Sequence, residues 1–112
     1  MLKPLSGAEF AAILHGKEEY AMKFVMTYQI SAADWEDAVA RFLETGGLPS
    51  EGLTLHKRWH AASGRYGFLL LECEDISAVY RFAAEWHDLC DLEITPVLDD
   101  EEAAAVLREM QD

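Results

Sequence analysis

The chain has 112 residues and a formal net charge of -12, from 21 acidic and 9 basic side chains. A hydrophobic fraction of 51% indicates a folded domain rather than a disordered one, and the length fits a single hydrophobic core. Nucleic acids and anionic membranes are bound largely through Lys and Arg, so this charge balance argues against both as partners. The sequence shows neither a secretory signal nor an apolar run of membrane-spanning length, so we expect a cytoplasmic protein.

The amino-terminal segment, residues 1–21, is expected to be a helical extension of the main domain. Ser6 and Glu9 have the spacing of a capping box, and they precede an apolar stripe that Gly16 ends. Such a stripe has to be buried against its own domain or against a neighbouring chain. Residues 22–112 then form the main α+β domain.

The first half of that domain predicts a strand, a helix and a second strand. Apolar side chains alternate over residues 22–30, which is typical of a strand. Ser31 is placed to cap a helix that Gly46 and Gly47 end. After a loop, alternation returns over residues 53–61 and predicts the second strand.

The second half repeats this pattern after a short turn. It predicts strands over residues 66–73 and 92–98, and helices that begin after Asp75 and after Asp99. Pro96 cannot donate a hydrogen bond to a neighbouring strand, so the last strand is expected at an edge of the sheet. Glu102 stands at the capping-box position of the final helix, which is expected over residues 100–110.

This order of elements predicts a ferredoxin-like βαββαβ domain of the α+β class with a four-stranded antiparallel sheet. Right-handed crossovers place both intervening helices on one face of that sheet. The amino-terminal and carboxyl-terminal helices are additions to the plan.

The spacing of His56 and His60 raises the possibility of a metal site. On a helix these residues would be neighbours, but the alternating pattern predicts a strand, in which they lie about 13 Å apart. One metal ion cannot bridge that distance, so we predict no metal site there. Cys73 and Cys90 show no metal-binding spacing and are expected to be buried free thiols.

Alternation along the strands instead predicts a polar sheet face opposite the helices. Trp59 is expected to pack under the helices together with Leu53 and Leu55. The polar face then collects the candidate site residues, which are Thr27, Gln29, His56, Arg58, His60 and Glu93.

Two interpretations of this polar face remain open. In the functional one, His60 or His56 is a general acid or base, Arg58 binds an anionic group, and Thr27, Gln29 and Glu93 contact the ligand. In the structural one, these are ordinary polar residues of a sheet, paired with Glu93 or Glu72.

Residues 65–69 superficially match an RNA-recognition strand, because aromatic residues flank Gly67. The basic residue and the glycine that should precede the first aromatic are reversed at Gly64 and Arg65, and the chain is strongly acidic. RNA binding is therefore only a remote alternative.

Several local segments resemble the domain-of-unknown-function 3303 family over about residues 22–107. They are Met22 to Tyr28, Glu44 to Gly47, Arg58 to Ala61, and Asp91 to Glu102. The resemblance implies membership of the dimeric α+β barrel group, in which two ferredoxin-like sheets face each other. That wider group includes cofactor-independent monooxygenases, isomerases and haem enzymes, so the fold by itself selects no activity.

We therefore carry two main hypotheses. In the first, a homodimer binds a small organic molecule on the sheet face. If it is an enzyme, analogy of fold implies cofactor-independent monooxygenase-like or isomerase-like chemistry. In the second, the same face is a subunit interface of a non-catalytic dimerisation or regulatory module without a ligand. A haem-binding barrel is a further alternative, and no cofactor is otherwise expected.

Overall fold

The computed structural model describes residues 21–111, so the helix predicted in the amino-terminal extension falls outside the described residues. The strands are β1 (Met22–Gln29), β2 (Leu53–His60), β3 (Tyr66–Cys73) and β4 (Asp91–Val97). The helices are α1 (Trp35–Thr45), α2 (Ile76–Trp86) and α3 (Asp100–Gln111).

The four strands form one sheet in the order β2-β3-β1-β4, and every neighbouring pair is antiparallel. The element order β1-α1-β2-β3-α2-β4 and this strand order are those of the ferredoxin-like fold, which confirms the predicted class. Pro96 lies in β4, at an edge of the sheet as expected. An edge strand tolerates a residue without an N–H donor because it has a neighbouring strand on one side only.

The helix ends largely follow the local sequence signals. Asp75 accepts a hydrogen bond from the backbone N–H of Ser77 and caps α2 as predicted. Asp99 and Glu102 accept hydrogen bonds from each other's backbone N–H, forming the capping box of α3. Gly46 ends α1 in the left-handed conformation, at φ 74°.

The start of α1 differs from the prediction by a few residues. Ser31 accepts a hydrogen bond from the backbone N–H of Asp34, but it does so within a turn, and the regular helix begins at Trp35. The capping signal is therefore correct in its hydrogen bond, while the boundary of the helix lies later.

The face of the sheet that contacts the helices, here called the inner face, carries the main core. Phe24 and Met26 of β1 pack with Leu71 of β3 and with Val79 and Phe82 of α2. Leu71 is completely buried, and none of the other four exposes more than 3% of its surface. The sheet and α2 are therefore closely packed against each other at this end.

The side chains in the second half of β2 point to the opposite faces of the sheet from those predicted. The register between β2 and β3 shifts between Leu55 and Lys57, so that His56 is an extra residue in a β-bulge. Beyond the bulge the alternation is inverted, which turns Arg58 and His60 to the inner face.

Trp59 is turned by the same bulge to the opposite side, here called the outer face. Its ring stacks on that of Phe68 with 5.1 Å between the centroids, and it remains 43% exposed. The prediction that Trp59 packs under the helices is therefore wrong. Leu53 and Leu55, which precede the bulge, do pack in the core as expected.

The last helix, α3, buries none of its side chains within the described part of the chain. Its start is tied to β1 because Lys23 forms ion pairs with Asp99 and Glu102, at 3.2 and 2.8 Å. None of the helices among the described residues combines the length and apolar character needed to cross a bilayer.

Candidate functional site

A cavity of about 390 Å³ lies between α1 and the inner face of the sheet. Aromatic and aliphatic side chains from β1, α1, α2 and β4 supply most of its wall, and β2 supplies a polar end. The lining residues are Met26, Tyr28, Ile30, Trp35, Ala38, Val39, Phe42, Gly47, Arg58, His60, Gly64, Leu69, Phe82, Trp86, Cys90 and Leu92. A mostly apolar pocket with a few convergent polar groups is the usual form of a small-molecule site.

Helix α1 forms one wall of this cavity. It joins a small buried cluster through Ala38, which packs with Leu89 and Cys90, and polar contacts fasten it further. Arg41 donates hydrogen bonds to both carboxylate oxygens of Asp88, at 2.9 and 2.7 Å, and to the carbonyl of Glu85. Its guanidinium carbon also lies 5.3 Å from the ring centroid of Trp86. The Arg41 hydrogen bonds hold the pKa of Asp88 below its usual range.

The polar end of the cavity is centred on Tyr28 and His60. The phenol oxygen of Tyr28 lies 2.6 Å from Nδ1 of His60, within hydrogen-bond distance. Burial raises the pKa of Tyr28, although the charge of Arg58 acts in the opposite direction, so the phenol stays protonated at neutral pH. When it donates to Nδ1, a neutral imidazole carries its own proton on Nε2.

Gly67 is what allows Tyr28 and His60 to meet. It lies on β3 between them, since its Cα is paired with Tyr28 of β1 and with His60 of β2. A Cβ atom at this position would come within 3 Å of both the Tyr28 ring and the carbonyl oxygen of Trp59. The missing side chain thus leaves room for the phenol ring to reach across β3.

Arg58 completes the polar end and is half-buried. Its guanidinium carbon lies 5.3 Å from the centroid of the Phe42 ring, and its nitrogens donate to the backbone carbonyls of Gly46 and Gly47. The ring of Phe42 also meets that of His60 edge-on, at 5.5 Å between centroids. We call Tyr28, His60, Arg58 and Phe42 the polar cluster.

Burial lowers the pKa of Arg58, yet an arginine remains charged at any physiological pH. Among the described residues, no carboxylate lies within 4 Å of its guanidinium. Gly47 approaches Arg58 and Phe42 so closely that a Cβ atom there would lie within 3 Å of both, and its φ of 60° also favours glycine.

The other predicted site residues lie on the outer face, away from the cavity. His56 pairs with Glu72, with 2.6 Å between Nε2 and Oε1, as the structural interpretation expected for a polar sheet residue. Thr27 and Glu93 are neighbours across β1 and β4, and Gln29 is paired with Asp91 at the end of the same strands. The structure therefore brings Arg58 and His60 together and separates them from the remaining four.

Sequence reasoning missed most of the cavity wall. It assigned Tyr28, Phe42 and Trp86 to the core on their spacing alone, and it did not recognise that α1 and the sheet leave a space between them. Gly67 was available as a signal, because a glycine inside an apolar strand often marks a close approach of another group. The bulge at His56 has no comparable signal in the sequence.

Both cysteines are buried free thiols, as expected, and Cys90 lines the cavity. Burial raises the pKa of Cys90, which keeps it as a neutral thiol. Within residues 21–111, no group of three or more His, Cys, Asp or Glu side chains is arranged to hold a metal ion.

Comparison with known proteins places the chain in a family without a described activity. The model of a protein family described as a domain of unknown function (DUF3303) matches residues 22–111. No curated protein and no solved structure matches the chain. Because the family model covers the whole ferredoxin-like domain and ends at the last residue of α3, it confirms the resemblance seen in the sequence: the chain belongs to the DUF3303 family.

Proposed function

We propose that this protein binds a small, largely apolar organic molecule in the cavity between α1 and the sheet. The observation that carries the proposal is the combination of an apolar wall with a hydrogen-bonding polar cluster at one end. The volume of about 390 Å³ falls at the lower end of the range of small-molecule sites. The wall provides affinity by excluding water, and the cluster orients the ligand.

Tyr28 and His60 are the groups that would recognise a carbonyl or hydroxyl group of the ligand. Nε2 of His60 is a hydrogen-bond donor when Nδ1 accepts from the phenol. Of the two histidines predicted as general acid or base, His60 is the better placed for the cavity, because His56 is engaged by Glu72 on the other face. The catalytic role expected for the two histidines is thus proposed for His60 alone.

The binding proposal can be tested with naphthalene and 2-naphthol, whose binding would quench the fluorescence of Trp35 and Trp86. We expect both to bind, with 2-naphthol about tenfold tighter through one hydrogen bond to the polar cluster. Tyr28→Phe should reduce that preference while leaving naphthalene binding intact.

Ala38→Leu supplies the steric test, because Ala38 lines the cavity and a larger side chain there occupies its volume. Ala40→Leu is the matched control on the exposed side of the same helix. Failure of both probes to bind, or equal binding to the two leucine variants, would contradict the proposal.

A second candidate function, assembly as a homodimer, is favoured by the outer face. Trp59, Tyr66 and Phe68 are each about two-fifths exposed there, beside Val25 and Leu70 of the same face. Exposed aromatic clusters of this kind are typical of interaction surfaces.

A second copy of the chain is the proposed occupant of this face. Its surroundings carry Lys57 and Glu93, so two copies related by a twofold axis can place unlike charges opposite each other despite the acidity of the whole chain. We expect a dimer in native mass spectrometry and a monomer after Trp59→Glu, with Tyr80→Glu on the exposed side of α2 as control. A monomeric unmodified protein would exclude this assembly.

A further inference from the structure

We infer that the ligand of the cavity is an apolar carboxylic acid whose carboxylate binds Arg58. This inference rests on the proposed function, since it assigns a chemical class to the molecule that occupies the same cavity. It is carried by the position of Arg58, a cation in the polar cluster at one end of a mostly apolar space.

Arg58 is half-buried and has hydrogen-bond donors that the protein leaves available. Its guanidinium has five N–H donors, of which the backbone carbonyls of Gly46 and Gly47 take two. Burial without a carboxylate partner is costly for a cation, and among the described residues none lies within 4 Å. A bound carboxylate would supply the missing negative charge to the donors that remain.

The neighbours of Arg58 fix the position of its guanidinium group. The guanidinium carbon lies 5.3 Å from the centroid of the Phe42 ring and its nitrogens donate to two backbone carbonyls, so the group is oriented before a ligand arrives. A planar fork that is already oriented suits a carboxylate, which it can bind through two parallel hydrogen bonds. His60 lies beside it, since Phe42 contacts both residues, and adds a further donor.

The charge of Arg58 in the cavity is opposite in sign to the net charge of the chain. The chain carries a net charge of -12, so its long-range field repels anions and attracts cations. Preference for an acid would therefore run against the charge of the whole protein. A cation at the binding site can produce such a preference, and Arg58 is the arginine among the described lining residues.

The test compares three probes that share one ring system: 2-naphthylacetate, its neutral amide 2-naphthylacetamide, and 2-(2-naphthyl)ethylamine. Titration calorimetry at neutral pH should give an affinity for the acid about ten- to a hundredfold above that for the amide. The amine should bind more weakly than the amide. Equal affinities for acid and amide would overturn the inference while leaving the proposed function intact, because the amide would still occupy the cavity.

Variants at Arg58 locate the preference. Arg58→Gln should remove the difference in affinity between the acid and the amide, and binding of the amide by this variant shows that the cavity is still formed. Arg58→Lys keeps the charge and should retain part of the preference, and it serves if the glutamine variant does not fold. If Arg58→Gln still prefers the acid, the inference is overturned. If none of the probes binds to the unmodified protein, both the proposed function and the inference fail.

Discussion

Two helices cover the inner face of the sheet in different ways, although they follow from similar amphipathic segments. Helix α2 packs closely, burying Ala78, Val79, Phe82 and Ala83 against the sheet. Helix α1 buries only Ala38, and a cavity of about 390 Å³ lies between it and the strands. Well-packed regions supply stability, whereas a space lined by apolar side chains has to be maintained by contacts elsewhere.

Polar contacts supplement the single buried residue of α1. Arg41 links α1 to Asp88 after α2, and Arg58 links the loop after α1 to β2. Both arginines also lie over aromatic rings, those of Trp86 and Phe42. The α2 end therefore supplies the larger part of the buried core, and the α1 end contains the cavity that we propose as a binding site.

The largest effect is expected from Leu71→Ala under α2. Leu71 is completely buried, so truncation leaves an unfilled space and should lower the free energy of unfolding by about 2–5 kcal/mol. Leu43→Ala on α1, where the side chain is 75% exposed, should have little effect. Chemical denaturation of the two variants measures the difference, and similar losses would mean that the α2 end is not the principal core.

Gly67→Ala tests the junction between the two ends of the sheet. The added methyl group collides with the Tyr28 ring and the Trp59 carbonyl, so we expect a loss of about 3 kcal/mol, at the upper end of the range for overpacking. Displacement of Tyr28 should also break its hydrogen bond to His60. The imidazole signals of His60 in NMR spectra report this contact, and an unchanged signal together with an unchanged melting temperature would contradict the geometry of the polar cluster.

A pair of alanine-to-leucine substitutions compares the helices directly. Ala83→Leu adds volume to the packed α2 end and should destabilise the protein by about 1–3 kcal/mol. Ala38→Leu adds the same volume where the cavity can receive it, so its cost should be smaller. Thermal unfolding of both variants provides the measurement. A larger loss for Ala38→Leu would mean that the space beside α1 is not available to a side chain.

The smallest effect concerns the exposed pair that fastens α1. Because Arg41 lowers the pKa of Asp88 in the folded protein, the pair stabilises the fold above the unfolded pKa of about 3.9 and loses this contribution as pH falls through the folded pKa. Asp88→Asn should therefore lower the melting temperature slightly at pH 7, and the difference from the unmodified protein should disappear in acid.

Asp91→Asn provides the matched control for that experiment, since Asp91 is exposed and its carboxylate forms no ion pair among the described residues. A difference for Asp88→Asn that persists at low pH would show that the carboxylate does not act through its charge. Weaker binding of 2-naphthol to Asp88→Asn at pH 7 would connect the position of α1 to the cavity.

Local chemistry along the chain determined most of the fold. Period-two alternation located the strands, and Gly46, Asp75 and Asp99 marked helix ends. The order of these elements then selected the ferredoxin-like topology. These signals are readable because each depends on neighbours within a few residues. Membership of the DUF3303 family was also recognisable from short segments of the sequence.

The site was decided by tertiary structure. One extra residue at His56 inverted the faces of Arg58, Trp59 and His60, because a strand's side chains alternate and a single-residue shift exchanges the two sides of the sheet. The cavity likewise depends on how far α1 stands from the strands, which Arg41 and Arg58 set through contacts with distant parts of the chain. The sequence alone identified Arg58 and His60 as the residues of interest, and only the folded chain showed that they belong with Tyr28 and Phe42 on the helix side.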